Sequence, residues 1–166
     1  MSLNYITEAK FKKVVFMILE YEKLSFTNLM SVRKVMSYKD IKNEIDNLSK
    51  IIKKYNAESL GFIFARPYDI TEIDSNKYFD MEILVPVDKK IPDFRDYKFI
   101  DNFNLINAFK ITHTDSADSL QEVLSDIGEY TSSKNLNPAT FVIDASYGSS
   151  YMSLSDELEI DIYISM

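Results

Sequence analysis

The sequence contains no cysteine and no tryptophan, a single histidine, and few glycines and prolines. The lack of cysteine excludes disulfide bonds, catalytic thiolates and zinc sites built on cysteine. Because His113 is the only histidine, a multi-histidine metal site within one chain is also excluded. We therefore expect no bound metal and no cofactor. With three glycines and four prolines in 166 residues, the chain is predicted to have few loops and a large core.

An excess of basic residues and long apolar segments are also missing. The 19 lysines and arginines are outnumbered by 26 aspartates and glutamates, which gives a formal charge of −7. Binding to a nucleic-acid backbone requires a basic surface, so this acidic balance predicts no nucleic-acid partner. The apolar runs Val14–Leu19 and Ile83–Val87 are far shorter than the roughly 20 residues that span a bilayer. With no recognisable signal peptide, the sequence predicts a cytoplasmic protein without a membrane span.

Two helices are indicated by apolar residues that recur at helical spacing. The first stripe consists of Ile41, Ile45, Leu48, Ile52 and Tyr55. The second stripe consists of Leu120, Val123, Leu124, Ile127 and Tyr130. Polar residues that favour N-caps precede both stripes, so we predict that Asp40 caps the first helix and that Asp115 or Ser116 caps the second.

Strand-like runs flank each helix. These runs, rich in β-branched and aromatic residues, occupy positions 26–36, 61–66, 80–85, 104–113, 140–145 and 158–164. Each half of the chain therefore has the order strand–helix–strand–strand. The segment 7–24 has apolar residues at helical spacing, although its composition also permits a strand, and we favour the helix.

The two halves also align with each other. A shift of 79 positions pairs Met30 with Phe109, Val32 with Ile111, Ile41 with Leu120, Phe62 with Phe141 and Tyr68 with Tyr147. The final strands need a shift of 77, which pairs Ile83 with Ile160. We interpret this agreement as an internal duplication, with repeat units at about 24–88 and 103–166 within one domain spanning 24–166. Residues 1–23 are then an N-terminal extension.

This organisation predicts an α+β fold. Two pseudo-repeated strand–helix–strand–strand units would form one curved antiparallel sheet with the helices on one face. The opposite face would then form a groove around the pseudo-twofold axis, lined by side chains from both units. Such a groove is a natural position for a ligand.

The order and spacing of these elements resemble the GyrI-like domain, also called the bacterial transcription activator effector-binding domain. The resemblance covers roughly residues 24 to 166 and is carried by the segments Asp80–Val87, Phe109–His113, Pro138–Ala145 and Glu159–Ile164. The glycine and aromatic residue that usually follow the family histidine are absent after His113. No helix–turn–helix pattern is present, so the resemblance implies a stand-alone domain rather than a DNA-binding regulator.

Aromatic and acidic strand residues are the candidate ligand-binding groups. The predicted set is Tyr68, Tyr147, Glu82, Asp144, His113, Phe109 and Tyr163. The tyrosines would form an aromatic box that holds a flat or cationic amphiphile by stacking and cation–π contact. Family members that bind cationic drugs carry an acid in the strand that corresponds to 140–145, where Asp144 is the nearest match. The structural alternative is that the aromatics are half-buried strand residues, the acids face solvent and the histidine is a hydrogen-bonding group.

We therefore predict a non-catalytic domain that binds an apolar or cationic amphiphile in the groove between the repeats. The alternative is a protein–protein interaction or inhibitor module with no small ligand, since inhibitors of the GyrI type use this fold to bind another protein. The chain also resembles small proteins encoded beside type VII secretion systems in Gram-positive bacteria, which fits that alternative. A third class, hydrolysis, requires an acid and a tyrosine that converge across the groove, and we assign no catalytic residue.

Overall fold

The computed structural model describes residues 16–144 and 157–165, which contain two helices and six strands. The helices are α1 (Tyr38–Lys54) and α2 (Ala117–Ser133). The strands are β1 (Phe16–Ser37), β2 (Phe62–Ile73), β3 (Asn76–Pro86), β4 (Lys98–Ser116), β5 (Thr140–Asp144) and β6 (Glu157–Ser165). Both units therefore have the predicted order of strand, helix, strand and strand.

The described strands form one antiparallel sheet in the order β1-β3-β2-β5-β6-β4, and β4 pairs with β1 so that the sheet closes on itself. In the first unit, β3 lies between β1 and β2, and in the second, β6 lies between β4 and β5. The units are joined by two seams, one between β2 and β5 and the other between β1 and β4. The predicted α+β fold with one curved sheet and paired units is confirmed.

Both helices bury their apolar stripes against the same face of the sheet. Helix α1 packs against β1 and β3, and α2 packs against β2 and β4. Their buried residues join one core cluster with alternate strand residues such as Met81, Ile83, Phe141 and Ile162. Burying each of these side chains contributes about 1.5–3 kcal/mol, so this core supplies most of the attraction between the helices and the sheet. No helix among the described residues is long and apolar enough to cross a membrane.

Helix α1 is capped differently from the prediction. Ser37 occupies the N-cap position, and its backbone N–H and hydroxyl both donate to Oδ2 of Asp40, at 3.3 and 2.7 Å. Asp40 is therefore the third helical residue and not the cap. Its carboxylate lies in the first turn, where it interacts favourably with the positive end of the helix dipole.

The preference for a helix over segment 7–24 is wrong for the part of it that the structure describes. β1 begins at Phe16 and pairs with β4, with Glu20 opposite Lys110 and Leu24 opposite Leu105. The helical spacing was misleading because backbone pairing with a distant strand overrides a local pattern that β-branched and aromatic residues satisfy equally well. Residues 1–15 lie outside the described residues.

The predicted alignment between the two halves is wrong in the strand that follows each helix, β2 in the first half and β5 in the second. Ile63 of β2 belongs to the cluster that packs on the helices, whereas Val142, its partner under a shift of 79, packs on the opposite face. Phe141 does face the helices. The shift of 79 is therefore wrong for this strand, because side chains alternate between faces and a one-residue error exchanges them.

Candidate functional site

The sheet face opposite the helices, here called the helix-free face, carries a second and smaller apolar cluster. Its centre is a phenylalanine floor made of Phe26, Phe62, Phe64 and Phe103. The ring of Phe64 lies 5.0 Å from that of Phe26 and 5.5 Å from that of Phe103, measured between centroids. Phe64 is fully buried, whereas Phe26 and Phe62 are half-buried. The floor therefore keeps part of its aromatic surface accessible.

Other apolar side chains of the same face fill the space around the floor. Leu29 and Leu84 are almost completely buried, and Tyr163 of the second unit is 6% exposed. Strands from both units contribute to this cluster. The helix-free face is therefore partly filled by the chain's own side chains.

A polar cluster adjoins the floor on three neighbouring strands. We define it as Arg33 of β1, Asp80 and Glu82 of β3, and Arg66 and Tyr68 of β2. Glu82 lies between the two arginines in the register, opposite Arg33 on one side and Arg66 on the other. Since these positions alternate with the helix-packed residues, their side chains share the helix-free face.

The centre of the polar cluster is a closed triangle of hydrogen bonds. Nη1 of Arg66 donates to Oε2 of Glu82 at 3.0 Å and to the hydroxyl oxygen of Tyr68 at 3.1 Å. The Tyr68 hydroxyl donates to the same Oε2 at 2.9 Å. The side chains of Arg66 and Glu82 are each 15% exposed, so this ion pair is shielded from solvent far more than a surface pair.

Arg33 completes the cluster from the neighbouring strand. Its Nε and Nη2 donate to the two carboxylate oxygens of Asp80 at 3.0 and 2.8 Å, a bidentate pair. Its guanidinium carbon lies 3.6 Å from the centroid of the Tyr68 ring. Arg66 lies 5.2 Å from the ring centroid of Phe103, which connects the polar cluster to the floor.

These contacts set the charge state of the cluster. Burial raises the pKa of Tyr68, and Glu82 raises it further against the opposing effect of Arg66. The pKa of Arg33 is raised chiefly by its hydrogen bond to Asp80. Two cations therefore face two anions, and Tyr68 is a neutral hydroxyl at physiological pH. The cluster is charge-balanced, and its acids already have partners.

A second ion pair lies on the helix-free face of the other unit. Asp161 of β6 accepts a hydrogen bond from the Thr112 hydroxyl at 2.8 Å and lies 3.2 Å from Nζ of Lys110. Nζ of Lys110 is also 6.0 Å from the ring centroid of Tyr163. Asp161 is therefore half-buried and partnered within the sheet.

The structure brings together only some of the predicted binding residues. Tyr68 and Glu82 are hydrogen-bonded to each other, and Tyr163 lies on the same sheet face in the second unit. In the strand register, Phe109 is opposite Ile164, His113 is opposite Ile160, and Asp144 is opposite Phe62. The predicted positions of those three side chains stay predictions, and Tyr147 lies outside the described residues.

Sequence reasoning missed both arginines of the cluster. Arg66 directly follows the apolar run 62–65. In a strand its side chain would lie on the same face as Phe62 and Phe64, which indicates a charged group beside apolar ones. A partner for such a group is required, since burying an unpaired charge is costly. That partner, Glu82, is 16 positions away and becomes identifiable only when the β2–β3 register is known.

Other parts of the described chain offer less chemistry. A cleft of about 620 Å³ lies at the C-terminal end of α1 and is lined by Ser49, Ile52, Lys53, Asn56, Ala57, Glu58 and Ser59. It contains none of the predicted binding residues. Within residues 16–144 and 157–165, no three metal-ligating side chains cluster closely enough to hold an ion.

The fold is similar to that of EcmrR. The chain matches EcmrR in a solved complex with DNA at a TM-score of 0.64 and 13% identity, covering 97% of this chain and 61% of that one. It matches the crystal structure of the EcmrR C-terminal domain at a TM-score of 0.56 and 15% identity, covering 90% and 98%. No family model and no curated protein sequence matches. At these identities the similarity is one of fold, and it is consistent with the effector-binding fold that the sequence resembles.

Proposed function

We propose that this chain is a non-catalytic, GyrI-like small-molecule-binding domain whose site is the helix-free face. The observation that carries the proposal is the triangle of Arg66, Tyr68 and Glu82, held half-buried beside the phenylalanine floor. Ligand sites commonly combine an apolar aromatic surface with a few fixed polar groups that orient the ligand. The fold shared with the EcmrR C-terminal domain supports the same reading.

The geometry favours a ligand with a flat apolar body and a polar end. The half-buried rings of Phe26 and Phe62 offer the surface for the body, and the polar cluster offers hydrogen bonds to the end. Of the two ligand types predicted from the sequence, the uncharged amphiphile is the better supported. A cation at Glu82 would have to compete with the Arg66 guanidinium, which already lies 3.0 Å from the carboxylate.

A protein-interaction module is the second candidate. The observation in its favour is that Phe64, Leu29 and Leu84 are buried and fill part of the helix-free face. Hydrolysis is less well supported, although Tyr68 and Glu82 do converge. They come from neighbouring strands of one unit rather than from across the groove, and the Glu82 carboxylate already accepts hydrogen bonds from Arg66 and Tyr68.

Calorimetric titration of the full chain with 2-acetylnaphthalene and with 2-naphthyltrimethylammonium tests the proposal. We expect the neutral probe to bind. The Phe62→Ala variant should bind it about tenfold more weakly, because it loses an apolar contact surface. Ile73→Ala is the matched control, since Ile73 is 55% exposed and outside the floor, and its affinity should equal that of the wild type.

Three outcomes separate the alternatives. Tighter binding of the ammonium probe than of the neutral probe would show that the site prefers a cationic ligand. An equal loss of affinity in the Phe62→Ala and Ile73→Ala variants would show that the probe does not bind at the phenylalanine floor. If neither probe binds, the proposed function is contradicted and the protein-interaction module is favoured.

A further inference from the structure

Two buried polar atoms of the helix-free face are without a hydrogen-bond partner among the described residues. They are Nε of Arg66 and Oγ1 of Thr140. Thr140 is completely buried, so solvent does not compensate its hydroxyl. Because an unsatisfied buried group reduces stability, such groups in a folded protein require an explanation, and a ligand that is bound in function is one.

Both atoms belong to the seam between the two units. β2 pairs with β5 with Phe62 opposite Asp144 and Ala65 opposite Phe141, so continuing the same register brings Arg66 opposite Thr140. On its other side, Thr140 is opposite Tyr163 of β6. Thr140 therefore lies on the helix-free face, between a residue of the polar cluster and a buried tyrosine of the second unit.

The chemistry of these atoms defines what they can bind. Nη1 of Arg66 donates hydrogen bonds to Glu82 and Tyr68, whereas Nε has no partner in the described part of the chain. Nε carries one N–H group, which can donate a hydrogen bond but not accept one. The threonine hydroxyl also donates. A carbonyl oxygen has two lone pairs and can accept from both groups at once.

Charge balance distinguishes between acceptors. Arg33 and Arg66 are each paired with a carboxylate, so the polar cluster has no net charge to attract an anion or a cation. A charged ligand group would be desolvated here without a free counter-charge. Resting on the proposed function, we infer that the ligand is uncharged at its polar end and presents a carbonyl oxygen to Arg66 Nε and Thr140 Oγ1.

The test compares probes that differ only in this group. 2-Acetylnaphthalene has the carbonyl, and 2-isopropenylnaphthalene has the same shape with a methylene in place of the oxygen. 2-Naphthoate and 2-naphthyltrimethylammonium supply the anion and the cation. With the wild-type chain we expect the ketone to bind about tenfold more tightly than the alkene, as two hydrogen bonds to a buried acceptor require.

The Thr140→Val variant tests the hydroxyl without changing the shape of the side chain. We expect its ketone-to-alkene ratio to fall several-fold while its affinity for the alkene is unchanged. Its melting temperature without ligand should equal or exceed that of the wild type, because it removes a hydroxyl that has no partner. Thr112→Val is the matched control: its hydroxyl donates to Asp161, so this variant should melt lower and keep the ratio.

The outcomes separate this inference from the proposed function. Equal affinities for ketone and alkene would overturn the carbonyl assignment and leave the apolar site standing. Tightest binding of the naphthoate or the ammonium probe would overturn the uncharged end. A Thr140→Val variant that melts lower would show that the hydroxyl has a partner in the free protein, which also overturns the inference. If no probe binds to the wild type, the proposed function itself fails.

Discussion

Arg66 illustrates how much a single residue depends on neighbours that are distant in the sequence. It lies within an amphipathic strand, its side chain is 15% exposed, and its charge is held by Glu82. A half-buried ion pair of this kind need not add stability over an apolar pair, but breaking it leaves a charge without a partner. We therefore expect single and double variants of the pair to behave very differently.

The Glu82→Gln variant should be destabilised by about 2–3 kcal/mol, because Arg66 keeps its charge in a shielded position. Adding Arg66→Met should recover at least half of that loss, since the uncompensated charge is removed. Urea unfolding of the single and double variants measures both effects. Additive losses in the double variant would mean that the two side chains are not energetically coupled.

At the scale of elements, the sequence pattern identified both helices because their apolar stripes are regular over about three to four turns. What the pattern did not reveal is how closely each helix approaches the sheet. Gly128 of α2 faces β2, where a Cβ atom would lie 2.7 Å from Cδ1 of Ile70 and 3.2 Å from Cβ of Pro67. The glycine therefore serves the helix–sheet packing, although it is a poor helix former.

Replacing Gly128 by alanine sets these two effects against each other. The better helix propensity of alanine is worth up to about 1 kcal/mol, and crowding against a packed strand costs about 1–3 kcal/mol. We expect a net loss of about 1 kcal/mol in thermal or urea unfolding. Ile70→Val removes the closest atom, so Gly128→Ala should be better tolerated in that background. A stabilised single variant would contradict this account of the packing.

At the scale of the whole molecule, the repeated order of elements was predictable and the strand register was not. Periodicity distinguishes a helix from a strand, and it gave the strand–helix–strand–strand order of both units. The pairing of Phe62 with Phe141 failed because an alignment of apolar residues does not determine which face a side chain occupies. The polar cluster was unpredictable for the same reason, since Arg33, Arg66 and Glu82 meet only through the register of three strands.

A hydrogen bond in the connection between the two units should make the free energy of unfolding depend on pH in the alkaline range. Tyr97, just before β4, donates its hydroxyl hydrogen bond to Oε2 of Glu44 in α1 at 2.9 Å. Burial and this carboxylate raise the pKa of Tyr97 to about 12 from the ordinary value of 10.0.

Since the folded pKa of Tyr97 is raised, its contribution should be complete below pH 10 and should be lost as the pH rises from 10 to 12. Comparing urea unfolding of the wild type and Tyr97→Phe across this interval isolates the effect from the titration of lysines. We expect the advantage of the wild type over the variant to shrink as the pH rises. A constant difference would mean that Tyr97 titrates alike in the folded and unfolded chains.

Closure of the sheet also fixes a sequence of events during synthesis. From Leu29 to Ser37 one edge of β1 is covered by β3, whereas the other edge of β1 is covered by β4, which begins at Lys98. A nascent chain that ends before Lys98 therefore carries an uncovered strand edge, the kind of surface that pairs with other chains. We therefore expect a chain that ends before Lys98 to associate with other copies more readily than the complete sheet does.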